Sequence, residues 1–117
     1  MFYDARLQGS VYAGLFHPMT STPTQAYYAL VAFNELYKLG KQTALSCDTD
    51  GLYAVSATDG VKNAIVISNI SGRPQELNIE GVDLSDARYH VIDDQRLLSW
   101  SPEVKTVNNN TVVLIEY

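Results

Sequence analysis

QAYYALVAFNELYKLG, residues 25–40, runs straight into KQTALSCDTDGLYAVSATDG, residues 41–60, and across that junction the apolar period changes from that of a helix to two. The first stretch reads as one helix. Thr22-Pro23-Thr24-Gln25 matches a start, with Thr22 as N-cap, Pro23 at the first helical position and Gln25 reaching back from the third. Gly40 supplies the left-handed residue that ends it, and Lys38 sits favourably near the negative end of the helix dipole. Tyr27 to Phe33 run without a polar break, so this helix is expected to be apolar outward as well as inward. A small body needs only one apolar stripe, so a surface outside this chain is expected to cover the other.

Beyond Gly40, turn residues recur at roughly ten-residue intervals, the mark of an all-β sandwich or barrel. Strands are predicted near 42–47, 52–58, 63–69, 75–80, 88–93, 96–99, 103–107 and 111–117, separated by Asp50-Gly51, Asp59-Gly60, Ser71-Gly72-Arg73-Pro74, Gly81, Asp93-Asp94 and Asn108-Asn109-Asn110. Gln75 to Glu80 alternates, sending Leu77 and Ile79 inward. Ala64-Ile65-Val66-Ile67 and Val112-Val113-Leu114-Ile115 are apolar on both faces and belong centrally, where a charge at Ile65 or Leu114 would prevent folding. The fold class is therefore mostly β, an antiparallel β-sandwich of seven or eight strands preceded by one α-helix. Residues 1–21 show no sustained period and read as a long loop.

Composition excludes several functions. The 117 residues carry 8 Lys plus Arg against 13 Asp plus Glu, a net charge of −5 with scattered basic residues, so neither nucleic acid nor an anionic membrane is an expected partner. The chain is long enough for one core. The one cysteine, Cys47, makes no internal disulfide and reads as a small buried hydrophobe. No apolar run reaches the roughly 18 residues of a spanning helix, and the first residues lack the pattern of a signal peptide. A soluble chain compatible with the cytoplasm is expected, in an unknown compartment.

The residues that carry chemistry elsewhere are poorly placed for it here. Asp93 and Asp94 are adjacent and read as turn-capping or solvated groups, because an acid and a base must converge on one bond. Glu80, Asp83 and Asp86 lack the ligand spacing and central glycine of a calcium loop. His17 and His90 have no second ligand at metal spacing, and no nucleophile elbow or phosphate-cradling loop occurs. No catalytic residue, metal or cofactor is assigned. Tyr53, Tyr89, Trp100 and Tyr117 are candidates for stacking on a sugar, although the blander expectation is that Trp100 closes one end of the sandwich and the tyrosines bury their rings.

Most of the chain resembles the tail of clan A glycoside hydrolases, in particular sequences similar to the family 39 β-xylosidases. The resemblance rests on Tyr3-Asp4-Ala5-Arg6, Gly14-Leu15-Phe16-His17-Pro18, Pro23 to Leu30, Ala32 to Gly40, Leu52 to Ala57, Ala64 to Asn69 and Val112 to Glu116, the first forty residues being the more specific part. In such enzymes a β/α barrel carries the two catalytic carboxylates and a β-sandwich follows it. The resemblance implies that residues 1–40 are a loop and helix like the last β/α unit of the barrel, and that residues 41–117 are a C-terminal accessory β-sandwich. Within the first part, Met1 to Tyr3 would end the eighth strand, residues 4–21 form the loop after it, and residues 22–39 the eighth helix. Loops after barrel strands border the active site, which makes Tyr3, Asp4 and Arg6 candidate carbohydrate contacts beside Trp100. It implies a non-catalytic chain whose partner is the upstream catalytic barrel of a parent enzyme, or, failing that, another copy met through the helix Gln25 to Leu39. A freestanding carbohydrate-binding module, with a glycan as ligand, is the alternative.

Overall fold

The computed structural model describes residues 14–17 and 20–117. Its elements are α1 (Gln25–Leu39), β1 (Lys41–Thr43), β2 (Leu52–Thr58), β3 (Asn63–Asn69), β4 (Gln75–Glu76), β5 (Arg88–Ile92), β6 (Leu97–Ser101), β7 (Thr106–Val107) and β8 (Thr111–Glu116). The mostly β, antiparallel architecture with one leading helix is as the sequence predicts.

The helix ends at Gly40 as expected, with φ +89° and its amide donating to the Tyr37 carbonyl at 3.1 Å. Its start differs. Thr24, not Thr22, is the N-cap, and the helix begins at Gln25. The reason lies upstream: Phe16 and Pro23 form an antiparallel bridge, and the Thr24 amide donates to the Leu15 carbonyl at 2.9 Å. That pairing keeps the backbone extended through Thr24, whose hydroxyl also turns back, to the carbonyls of Gly14 and Leu15, and so leaves the helix amides uncapped by it.

Six strands form one antiparallel sheet in the order β1-β2-β3-β8-β5-β6, while β4 and β7 pair as a second, small sheet. Alternation along β3 and β8 sends residues to two cores. Ile65, Ile67, Val113 and Ile115 join Tyr89, Val91 and Val107 on the side of the small sheet. Ala64 and Leu114 face the other way and meet Ala32 and Leu36 of α1, with Ala57 and Ile92. The predicted two-sided strands are thus the central ones, and the six-stranded sheet is the middle of three layers. Small side chains at Ala32, Ala57 and Ala64 let the helix approach the sheet closely, and Ala32 is fully buried there.

Several predicted strands are shorter. Residues 42–47 pair only to Thr43, residues 75–80 only to Glu76, and residues 103–107 only at Thr106–Val107. Among the described residues, the backbone beyond those points has no neighbouring strand. Cys47, expected to be buried, is exposed for the same reason: it lies past the end of β1, with its thiol 3.3 Å from the Leu52 carbonyl.

Candidate functional site

One turn of α-helix advances about 3.6 residues, so positions 28, 32, 36 and 39 share a face. In α1 these are Tyr28, Ala32, Leu36 and Leu39, and all four pack on the six-stranded sheet. Leu30, Phe33 and Tyr37 form a second apolar stripe, centred about a third of a turn round the axis. Their relative exposures are 45%, 53% and 78%. Nothing among the described residues covers them, so the helix carries one buried and one open apolar face there. Beside the open face lies a groove of about 430 Å³, floored by Val55 and Ala57 of β2 and walled by Phe33 and Tyr37 on one side and Lys41 and Gln42 on the other. Phe16 meets the helix elsewhere, with its ring centroid 5.3 Å from that of Tyr27.

A second surface lies at the far edge of the same sheet face. Trp100 in β6 is directly paired with His90 in β5, so both side chains stand on the helix side of the sheet. The His90 Nε2 is 3.3 Å from the Glu116 Oε2 of β8. Trp100 is 67% exposed and Tyr53 is 60% exposed. This corrects the expectation that Trp100 closes the sandwich. It sits on an edge strand with no neighbour beyond it among the described residues, whereas Tyr89, on a strand inside the sheet, is 5% exposed as expected for a buried ring. An exposed indole next to an imidazole and a carboxylate offers a stacking face and hydrogen-bonding groups to a polar ring.

The acidic residues singled out by the sequence cap turns. The Asp93 Oδ1 accepts from the amides of Gln95 and Arg96, and its Oδ2 accepts from the Arg96 guanidinium at 2.6 and 2.9 Å. That guanidinium, with the two amides, holds the Asp93 carboxyl below the usual range. The amides of Lys62 and Val61 do the same to Asp59, and the amide and hydroxyl of Ser85 to Asp83. All three shifts run opposite to what a proton-donating acid requires. Glu80, Asp83 and Asp86 form no metal cage; among the described residues no group of three or more metal-ligating side chains converges. No helix among them is long and apolar enough to cross a membrane. Tyr3, Asp4 and Arg6 lie outside the described residues.

The fold recurs in solved structures. Over 88% of this chain it matches a glycoside hydrolase family 30 subfamily 8 xylanase from Clostridium acetobutylicum, with a TM-score of 0.70 and 15% identity. A family 30 endoxylanase from Clostridium papyrosolvens matches over 86%, with a TM-score of 0.68 and 16% identity. A conserved exported protein from Bacteroides fragilis matches over 65%, with a TM-score of 0.54 and 18% identity. The match spans only 30%, 29% and 18% of those three chains, so this chain has the fold of less than a third of each. No family model and no curated protein matches the sequence. The class defined in this way is a glycoside-hydrolase-like β fold with a leading helix. The particular likeness among these structures is to family 30 xylanases, and they do not show a specific likeness to the family 39 enzymes that the sequence motifs suggest.

Proposed function

We propose that this chain is the non-catalytic C-terminal accessory β-sandwich of a glycoside hydrolase, preceded by the last helix of its barrel, and that it braces that barrel by packing. The observation that carries the reading is the second apolar stripe of α1, Leu30, Phe33 and Tyr37, on a helix already buried along its other face. An apolar stripe of this kind rarely stays bare in a soluble protein. The partial span of the xylanase chains supports it too, because more than two thirds of each lies outside the match. In this reading residues 1–40 complete the barrel, residues 41–117 stand beside it, and Tyr3, Asp4 and Arg6 border its cleft. Hydrolysis belongs to the barrel, and Glu116 and His90 serve the sandwich.

The test is sedimentation of the chain alone, with and without Leu30→Gln, Phe33→Gln and Tyr37→Gln together. The parent sequence should self-associate at micromolar concentration through the open stripe, and the triple variant should be monomeric with an unchanged far-UV spectrum. A monomeric parent would overturn the reading.

Trp100 favours a second reading, a carbohydrate-binding module. Titration with xylo-oligosaccharides, followed by indole fluorescence, should then saturate and be abolished by Trp100→Ala. No change at millimolar sugar removes this alternative and leaves the bracing role.

A further inference from the structure

Two stretches whose pattern asks for a strand stop short, and they stop beside the same cleft. After β1, the amides of Leu45 to Asp48 have no hydrogen-bond partner among the described residues, and these four side chains are exposed. After β4, the Leu77 amide donates to the Lys105 carbonyl at 2.8 Å, and beyond it the amides of Asn78, Ile79 and Glu80 have no partner among the described residues. Both stretches line one cleft of about 600 Å³, with Leu45 and Cys47 on one wall, Leu77 and Ile79 on the other, and Ile65 and Ile67 as its floor. A row of free amides and carbonyls on each side of an apolar floor is what a sheet presents where a strand is to be added.

We propose that this cleft is an acceptor site for one further β-strand, an extended polypeptide segment lying between residues 45–48 and residues 78–80 and enlarging the small sheet of β4 and β7. The chemistry of the lining selects that occupant over a sugar. Its floor is aliphatic, Leu45, Leu77 and Ile79 extend that surface up the walls, and no aromatic ring lines it for a pyranose to stack on. Its polar rim includes Asp48, Glu76 and Glu80 and no lysine or arginine. The segment it takes therefore alternates aliphatic side chains toward Ile65 and Ile67 with polar ones outward, and carries basic residues near its ends. This site lies on the opposite face of the six-stranded sheet from α1, so it stands whether or not the helix braces a barrel.

The experiment uses the chain with acetyl-KVTVTVK-amide as probe, read by amide hydrogen exchange and by the rate at which the Cys47 thiol reacts with a disulfide reagent. Without peptide, the amides of residues 45–48 and 78–80 should exchange at nearly unprotected rates. Millimolar peptide should slow them and the Cys47 reaction at least tenfold and leave β5 and β6 unchanged. A peptide with proline at its centre should do nothing, since it lacks the central donor and its ring disrupts pairing, and one with glutamate for both lysines should bind at least tenfold more weakly. The proposal fails if those amides are already protected in dilute chain, or if no peptide protects them. It fails also if xylohexaose protects them instead, or if protection appears only with dimer formation, which would make a second copy the occupant.

Discussion

The fully buried Asn69 side chain donates from Nδ2 to the Val107 carbonyl at 2.8 Å, tying the end of β3 in the large sheet to the end of β7 in the small one. The same amide group donates to the Arg73 carbonyl at 2.8 Å, and its Oδ1 accepts from the amide and the hydroxyl of Ser71 at 2.9 and 2.7 Å. Every hydrogen-bonding position of the side chain is used. The two layers around the inner core are thus joined by a polar bolt as well as by apolar packing.

Asn69→Leu should therefore destabilise far more than its similar size suggests. It leaves the Val107 carbonyl without its side-chain donor and the Ser71 amide without its acceptor, each costing about 1–3 kcal/mol when buried. Urea denaturation should show a loss of about 3 kcal/mol with little change in m-value. A loss under 1 kcal/mol would mean that water replaces the amide.

Gly51 lies beside the same corner. Its φ is +78°, and a Cβ built on it would stand 2.5 Å from the Ser71 Cα, a backbone atom that cannot swing aside. Gly60 also has a positive φ, +98°, but open space around it. Gly60→Ala should cost about 1 kcal/mol from backbone strain alone, while Gly51→Ala should cost at least twice that and shift the chemical shifts of Ser71 and Asn69. Equal losses would show that the corner opens without penalty.

Asp93 predicts a pH dependence. Its carboxyl is held low chiefly by the Arg96 guanidinium, so in the unfolded chain it binds a proton more readily than in the folded one. The stability it contributes is present in full above its unfolded pKa, near 3.9, and is lost as pH falls through the lower folded value. Asp93→Asn should remove about 1 kcal/mol at pH 7. The gap between parent and variant should narrow as pH falls from about 5 toward 2. A gap independent of pH would assign the loss to turn geometry rather than to charge.

How much of this was legible in the sequence depends on what each residue answers to. Val112 to Ile115 and Ala64 to Ile67 announced two-sided burial because the apolar run itself is the signal, and β8 and β3 are central. Residues 42–47 and 75–80 announced strands, but pairing needs a partner that pattern does not supply, so β1 and β4 are cut short. Thr22 had the composition of an N-cap, yet the bridge of Phe16 to Pro23 carried the extended backbone two residues further. The exposure of Trp100 was hidden because period-two alternation tells which face a side chain takes and not whether the strand lies at an edge. Asn69 read as an ordinary strand end, since nothing local signals that β7 would come within hydrogen-bonding reach.

The sharpest contrast to measure lies along α1, between Leu36 and Phe33. Leu36 is 4% exposed against Ala57, Ala64 and Leu114, so Leu36→Ala removes buried methyl groups from a packed seam and should cost about 2–5 kcal/mol. Phe33, three residues earlier, is half exposed and borders the groove floored by Val55. In dilute chain, where the open stripe has no partner, Phe33→Gln should change stability by less than about 0.5 kcal/mol. At high concentration, or in a longer polypeptide that supplies the covering surface, the same substitution should become costly, because the ring is then buried and its replacement is not. A Phe33→Gln penalty that is large and independent of concentration in the chain alone would place the ring in this chain's own core, and the case for a missing neighbour would go with it.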